Sequence, residues 1–187
     1  MKAAVVAEAE EKPAQTAIPI PINAPLAKDI FTHVSFTNLK CGSLDRRFTE
    51  FQRCYIKAFN RSHKYIDVHA RLLQIPVKDV SINLKLMRYD HGYKPFFINV
   101  TFDACKFLKN QKHSIVKLFY NAFKDSSNLN HTCPYDHDLK LDHFWTGNIE
   151  ADFTKYIPLI NGDYSVDTLW YSNNIARSFV NIYLRLS

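Results

Sequence analysis

The densest set of chemically versatile side chains is His131-Thr-Cys133-Pro-Tyr-Asp136-His137-Asp138, with His143 just beyond. Imidazole, thiolate and carboxylate groups packed this closely could hold a metal ion. Fixed coordination geometry, however, needs ligands at regular spacing on a helix or on paired loops, and neither HExxH nor HxxxH occurs here. The four cysteines, Cys41, Cys54, Cys105 and Cys133, form no CxxC pair, so zinc-ribbon and thioredoxin spacings are also missing. No metal is expected. The stretch reads as a polar loop with Cys133 as a staple and Pro134 as a turn residue.

Catalysis fares no better. A Cys-His pair can be assembled from these residues in many ways and therefore specifies nothing, and no GxSxG elbow is present. Only four glycines occur in 187 residues. Phosphate-cradling loops depend on glycine for close backbone approach, and neither GxGxxG nor GxxxxGK[ST] can be found. No catalytic residues, no enzyme activity and no cofactor are expected.

The cysteine count suits two disulfides instead, with three connectivities open. Cys41–Cys54 with Cys105–Cys133 is the favoured pairing, the first tying sequential strands and the second closing a loop around a helix. Three N-glycosylation sequons, starting at Asn60, Asn99 and Asn130, point the same way. Together they suggest an oxidising, extracellular setting.

What must position these groups is mainly β-structure. Val80, Ile82, Leu84 and Leu86 alternate with polar neighbours, as do Phe96, Ile98, Val100, Phe102 and Ala104, and then Ser178, Val180, Ile182, Leu184 and Leu186. A period of two with one apolar face marks strands half buried in an antiparallel sheet. Ile30 to Phe36 and Tyr65 to Leu73 show weaker versions. One segment differs: Ile115, Leu118, Phe119, Ala122 and Phe123 form a helical stripe, with Ser114 as N-cap and Ser126-Ser127-Asn128 as the stop.

Residues 1–28 carry no aromatic residue or cysteine and hold Pro13, Pro19, Pro21 and Pro25. They read as a disordered tail or atypical leader, because Ala3 to Ala7 is too short for an export signal's apolar run. A single domain is expected over residues 29–187. The net charge of +6 is scattered, its densest sets being Arg46-Arg47 and Lys106, Lys109 and Lys112. That pattern argues against a nucleic-acid partner and for a mixed solvated surface. No stretch is long and apolar enough to span a membrane.

The remaining feature is aromatic load, with 14 Phe and 10 Tyr. Phe96 and Phe102 on a strand, and Phe119 and Phe123 on the helix, point at one interior by their periods. They describe either a filled core or the wall of a cavity between sheets, lidded by the helix.

Several ordered motifs carry a family resemblance: Phe36-Thr-Asn-Leu-Lys-Cys41, Gly92-Tyr-Lys-Pro-Phe-Phe97, the run from Asn99 to Asn110, the run from Asn130 to Asp138, and Gly162-Asp-Tyr164 before Trp170. Over about residues 33–187 the chain resembles a large insect family of small secreted proteins of unknown function, related to the CheB chemosensory proteins. That family is similar to the ML lipid-recognition superfamily, which includes the ganglioside activator. The resemblance implies an immunoglobulin-like (ML-like) two-sheet β-sandwich with one amphipathic helix, a signal peptide and disulfides on Cys41, Cys54, Cys105 and Cys133. The Pro- and Glu-bearing N-terminus departs from the family pattern.

The resulting expectation is a secreted, monomeric, non-enzymatic protein holding a lipid or other apolar ligand between its sheets, with a role in chemosensory or pheromone perception. The expected wall is Phe96, Phe102, Phe119, Phe123, Val180 and Ile182. The partners are an apolar small molecule and a membrane receptor. The alternative is a receptor-associated extracellular interaction module whose interior is filled by its own side chains.

Overall fold

The computed structural model describes residues 33–147, 149–150 and 159–187. The tail or leader expected over residues 1–28 lies outside them. Eight strands form: β1 (Val34–Ser43), β2 (Thr49–Ala58), β3 (Lys64–Leu72), β4 (Ser81–Tyr89), β5 (Tyr93–Asp103), β6 (Leu139–Trp145), β7 (Gly162–Ser172) and β8 (Ile175–Leu186). They build a five-stranded sheet of order β1-β8-β7-β4-β5 and a three-stranded sheet of order β2-β3-β6. Every pairing between them is antiparallel. The inner faces meet in one core that includes Val34, Phe36, Ile66, Leu86, Tyr164 and Leu184. The all-β, two-sheet sandwich is therefore present.

The alternating runs behave as their period requires. Ile82, Leu84 and Leu86 of β4 are buried while Ser81, Asn83 and Lys85 between them are partly exposed. Three strands lie outside the alternating runs, namely β2, β6 and β7. Bulges explain part of this: register slips occur near Gln52 in β2 and between Ile66 and Val68 in the β3–β6 pairing. A one-residue slip exchanges the two faces and erases a simple period.

The expectation of one helix needs correction. Among the described residues, α1 (Ala104–Asn110) and α2 (Ser114–Phe123) are both complete helices, and a 3₁₀ turn follows at Lys124–Ser126. Ala104, which continues the alternation of β5, instead opens α1, because Asp103 caps it: the carboxylate accepts the Lys106 N–H at 2.9 Å. The cap of α2 is His113 and not Ser114, since His113 has the extended backbone that a cap requires and its Nδ1 accepts the Val116 N–H. The buried face of α2 is also rotated from the expected stripe. Val116, Phe119, Tyr120 and Ala122 are buried, while Ile115 is exposed.

The two sheets are held differently at their two edges. On one side β1 runs beside β2, and the Cys41–Cys54 disulfide joins them with Cα atoms 6.2 Å apart. On the other, α1 and α2 cover the opening between β5 and β6, with Phe107 stacked edge-on against both Phe102 and Tyr120. Cys105 on α1 bonds to Cys133 in the loop after the helices. Both disulfides follow the favoured pairing.

The Asp103 cap yields a test. Burial raises its carboxyl pKa, but the Lys106 N–H and ammonium outweigh this and hold it below the usual value. A group depressed in the folded state stabilises above its unfolded pKa, near ~3.9, and loses that contribution as pH falls through the folded value. Asp103→Ala is expected to cost about 1 kcal/mol at neutral pH. The gap between variant and parent should narrow below about pH 4. Urea unfolding at both pH values measures it, and a gap constant with pH would reject the charged cap.

Candidate ligand cavity

Between the sheets lies a cavity of about 240 Å³. Each layer of the fold contributes to its wall: Val68 from β3, Leu84 from β4, Phe144 from β6, Val166 from β7, and Phe107 and Ala122 from the helices. Of the six residues expected on sequence grounds, five line it. They are Phe102 of β5, Phe119 and Phe123 of α2, and Val180 and Ile182 of β8.

Phe96 does not line it, which corrects that expectation. It packs at the opposite end of β5, its ring 4.7 Å from Phe97 and 6.0 Å from Tyr164, with the Arg88 guanidinium 5.7 Å away. Phe96 and Phe102 share a face but stand six residues apart, roughly 20 Å along a strand. Period two identifies the face and says nothing about the position along it.

Tyrosine hydroxyls and one guanidinium at the wall have hydrogen-bond partners. The Tyr120 hydroxyl donates to the Leu129 carbonyl at 3.0 Å, and burial, aided by Asp125, raises its pKa. Burial pushes Tyr135 up to about 12, and its hydroxyl donates to the His131 carbonyl. At one end stands Arg177, its side chain buried beside Phe48 at 4.4 Å from the ring centre. Its guanidinium pairs with Asp45 at 2.5 Å and donates to the Ser172 carbonyl at 3.3 Å. Phe48, Val77 and Ser172 border both the cavity and a surface recess formed by Gln74, Pro76 and Asn173.

Sequence reasoning missed Phe48, Phe107, Tyr120 and the β3 and β6 contributions. Val68, Ala70 and Leu72 alternate on β3, and that signal was available. Nothing in the local sequence marks Phe48 or Phe107, because each is brought inward by a turn or a helix cap.

The histidine-rich loop has a different role. Val77 and Tyr135 exchange both backbone hydrogen bonds, fastening the loop to the β3–β4 connection. Asp138 accepts from the Leu72 N–H and contacts His69 Nε2, each at 3.1 Å. Burial pushes its carboxyl up, but the His69 and Leu72 contacts, with the charge of Arg71, outweigh this and hold it below the usual value. Cys133 is oxidised. His131 stacks on Tyr135 and meets His137 Nε2 at 2.9 Å. The sequon asparagines Asn60, Asn99 and Asn130 are all solvent-exposed.

A comparison with curated proteins finds no match to the chain. The segment from β4 into β7 contains α1, α2, the Cys105–Cys133 disulfide and Phe102, Phe119 and Phe123 of the cavity. Over that segment, residues 82–166, the chain matches the family described as Protein of unknown function (DUF1091).

Proposed function

We propose that this protein is a secreted binding protein that holds a lipid or other apolar ligand between its two sheets, with no enzymatic step. The observation that carries the reading is the apolar interior cavity of about 240 Å³. An empty void costs about 24 cal/mol per Å³. Left vacant, this one would cost on the order of 5 kcal/mol, a large share of a domain's ~5–15 kcal/mol. An apolar occupant offsets that cost. Its size exceeds the ~150 Å³ dry cavities that take up benzene and falls short of the ~300–1,000 Å³ of larger ligand sites. A single hydrocarbon chain or a compact apolar molecule suits it better than a multi-chain lipid.

Binding here is burial. Each methylene moved from water to the interior contributes about 0.8 kcal/mol. Arg177, paired with Asp45, stands at the end nearest the surface recess, which shares Phe48 and Val77 with the cavity wall. Two disulfides and exposed sequons support an extracellular role. The resemblance to CheB-related and ML lipid-recognition proteins supports the finer reading: an ML-like sandwich serving chemosensory or pheromone perception.

Native mass spectrometry on protein secreted by insect cells, followed by organic extraction, tests the proposal. An apolar molecule at one copy per chain is the expected result. Ligand-free protein that also fails to take up a fluorescent fatty acid or a long-chain hydrocarbon would overturn it and favour a filled interaction module.

A further inference from the structure

We propose that His33, His63 and Glu150 form a binding site for one divalent transition-metal ion, with zinc the best match. Their ligand atoms all lie within 4.8 Å of one another. His33 Nδ1 is 3.2 Å from Glu150 Oε1, and His63 Nε2 is 3.6 Å from Glu150 Oε2. Ligands around a tetrahedral zinc with bonds near ~2.0 Å stand roughly 3.4 Å apart, so modest side-chain rotation closes the set. Two imidazoles and one carboxylate suit zinc and its transition-metal neighbours. Magnesium and calcium prefer oxygen throughout.

The three ligands come from separate segments, and each is fixed by backbone. His33 exchanges hydrogen bonds with Ser187 at 3.0 and 3.1 Å, which anchors it to the end of β8. The carbonyl of His63 accepts from the Phe59 and Asn60 N–H groups in the β2–β3 turn. Its Nδ1 sits 2.9 Å from the Ser62 hydroxyl and 3.3 Å from Asn60 Oδ1, which leaves Nε2 turned toward Glu150. Such a partner on the second ring nitrogen is the usual support of a metal-binding histidine. The Val34 N–H donates to Glu150 Oε1 at 2.6 Å. The rings of His33 and His63 meet edge to face at 5.2 Å and so do not block each other.

All three side chains keep between 23% and 31% exposure. Solvent therefore has a path to the site and a position for a fourth, water ligand. The ion would bridge the start of β1, the β2–β3 turn and the helical residues after β6. Ile149, next to Glu150, lines the ligand cavity, so the ion fastens the segment that closes that end. The histidine-rich loop of residues 131–138 is a separate place.

Calorimetric titration of the full chain with zinc should show one equivalent bound, with a melting temperature that rises with zinc and not with magnesium. His63→Ala and Glu150→Gln should each weaken binding 10-fold or more, about the range seen for metal-site substitutions. A His131→Ala/His137→Ala double variant should bind within about twofold of the parent. Cobalt gives a second readout on unaltered protein: visible bands of tetrahedral intensity. It should also quench Trp145, whose ring lies 5.4 Å from His63. Absence of zinc uptake and of cobalt bands in the parent would overturn the proposal. So would affinity unchanged in folded Glu150→Gln, or lost only in the double variant.

Discussion

Replacing Cys105 and Cys133 together by serine is expected to lower unfolding free energy by about 3.5 kcal/mol and the melting temperature by roughly 10 °C. The bond spans 28 positions of sequence, and the loop-closure entropy it removes from the unfolded chain grows with that length. The Cys41–Cys54 bond spans 13, for which the same reasoning gives about 3 kcal/mol. Stability alone therefore separates the two variants weakly. Ligand binding should separate them clearly. The longer loop encloses α2, the 3₁₀ turn and all of α1 but its first residue, and its Thr132 hydroxyl also donates to the Cys105 carbonyl at 2.8 Å. Loss of that bond frees the layer that carries Phe107, Phe119 and Phe123 over the cavity. Cys41–Cys54 lies at the opposite edge, where β1 and β2 remain anchored by β8 and β3. The expectation is a 10-fold or larger fall in affinity for a fluorescent fatty acid in Cys105→Ser/Cys133→Ser. A change within about threefold is expected for Cys41→Ser/Cys54→Ser, both measured well below their melting temperatures. Equal losses in both would mean that the helices are not the covering layer.

Some of this architecture was legible in the sequence, and the legible parts share a cause. β4, β5 and β8 each bury one face and leave the other to solvent, so chemistry alternates with geometry. β7 is central: the neighbours Tyr164 and Ser165 are both fully buried, and Trp170 and Tyr171 both line the cavity across a register slip, which blurs the pattern. β6 has seven residues and a left-handed backbone at His143, too short and irregular for a period to register. The cavity wall was readable as a face and not as a place. Phe102 and Phe96 are equivalent in period and differ in depth along the strand. The metal-ligand triad illustrates the other limit. His33, His63 and Glu150 show no motif, since the sandwich's closure alone brings their segments together, whereas the motif-like loop at residues 131–138 is occupied by structural contacts. The disulfides stand between these cases: spacing left three connectivities open, and the sheets selected one.

Val180→Phe is expected to abolish uptake of an apolar probe, by about 100-fold or more, while leaving the melting temperature unchanged or higher. The two readouts must be taken together, because they separate a cavity from a packed core. Val180 stands on the inner face of β8, paired with Cys41 and Thr168, and its side chain lines the cavity. In a filled core a phenyl ring at this position forces neighbours off their rotamers and costs about 1–3 kcal/mol. In an open cavity the ring occupies space that otherwise carries a void penalty, so stability is kept or gained. Ala122→Leu from α2 fills the same space from the opposite wall and should reproduce both effects, with a smaller loss of affinity. The pair guards against a local accident at either site. Binding lost together with stability in both variants would favour the filled-module reading. Binding lost with stability intact identifies the space between the sheets as the ligand's place. Phe96→Ala supplies the contrast: its ring lies outside the cavity against Tyr164, so removing it should cost stability, about 2–3 kcal/mol given its partial exposure, and leave affinity within about twofold.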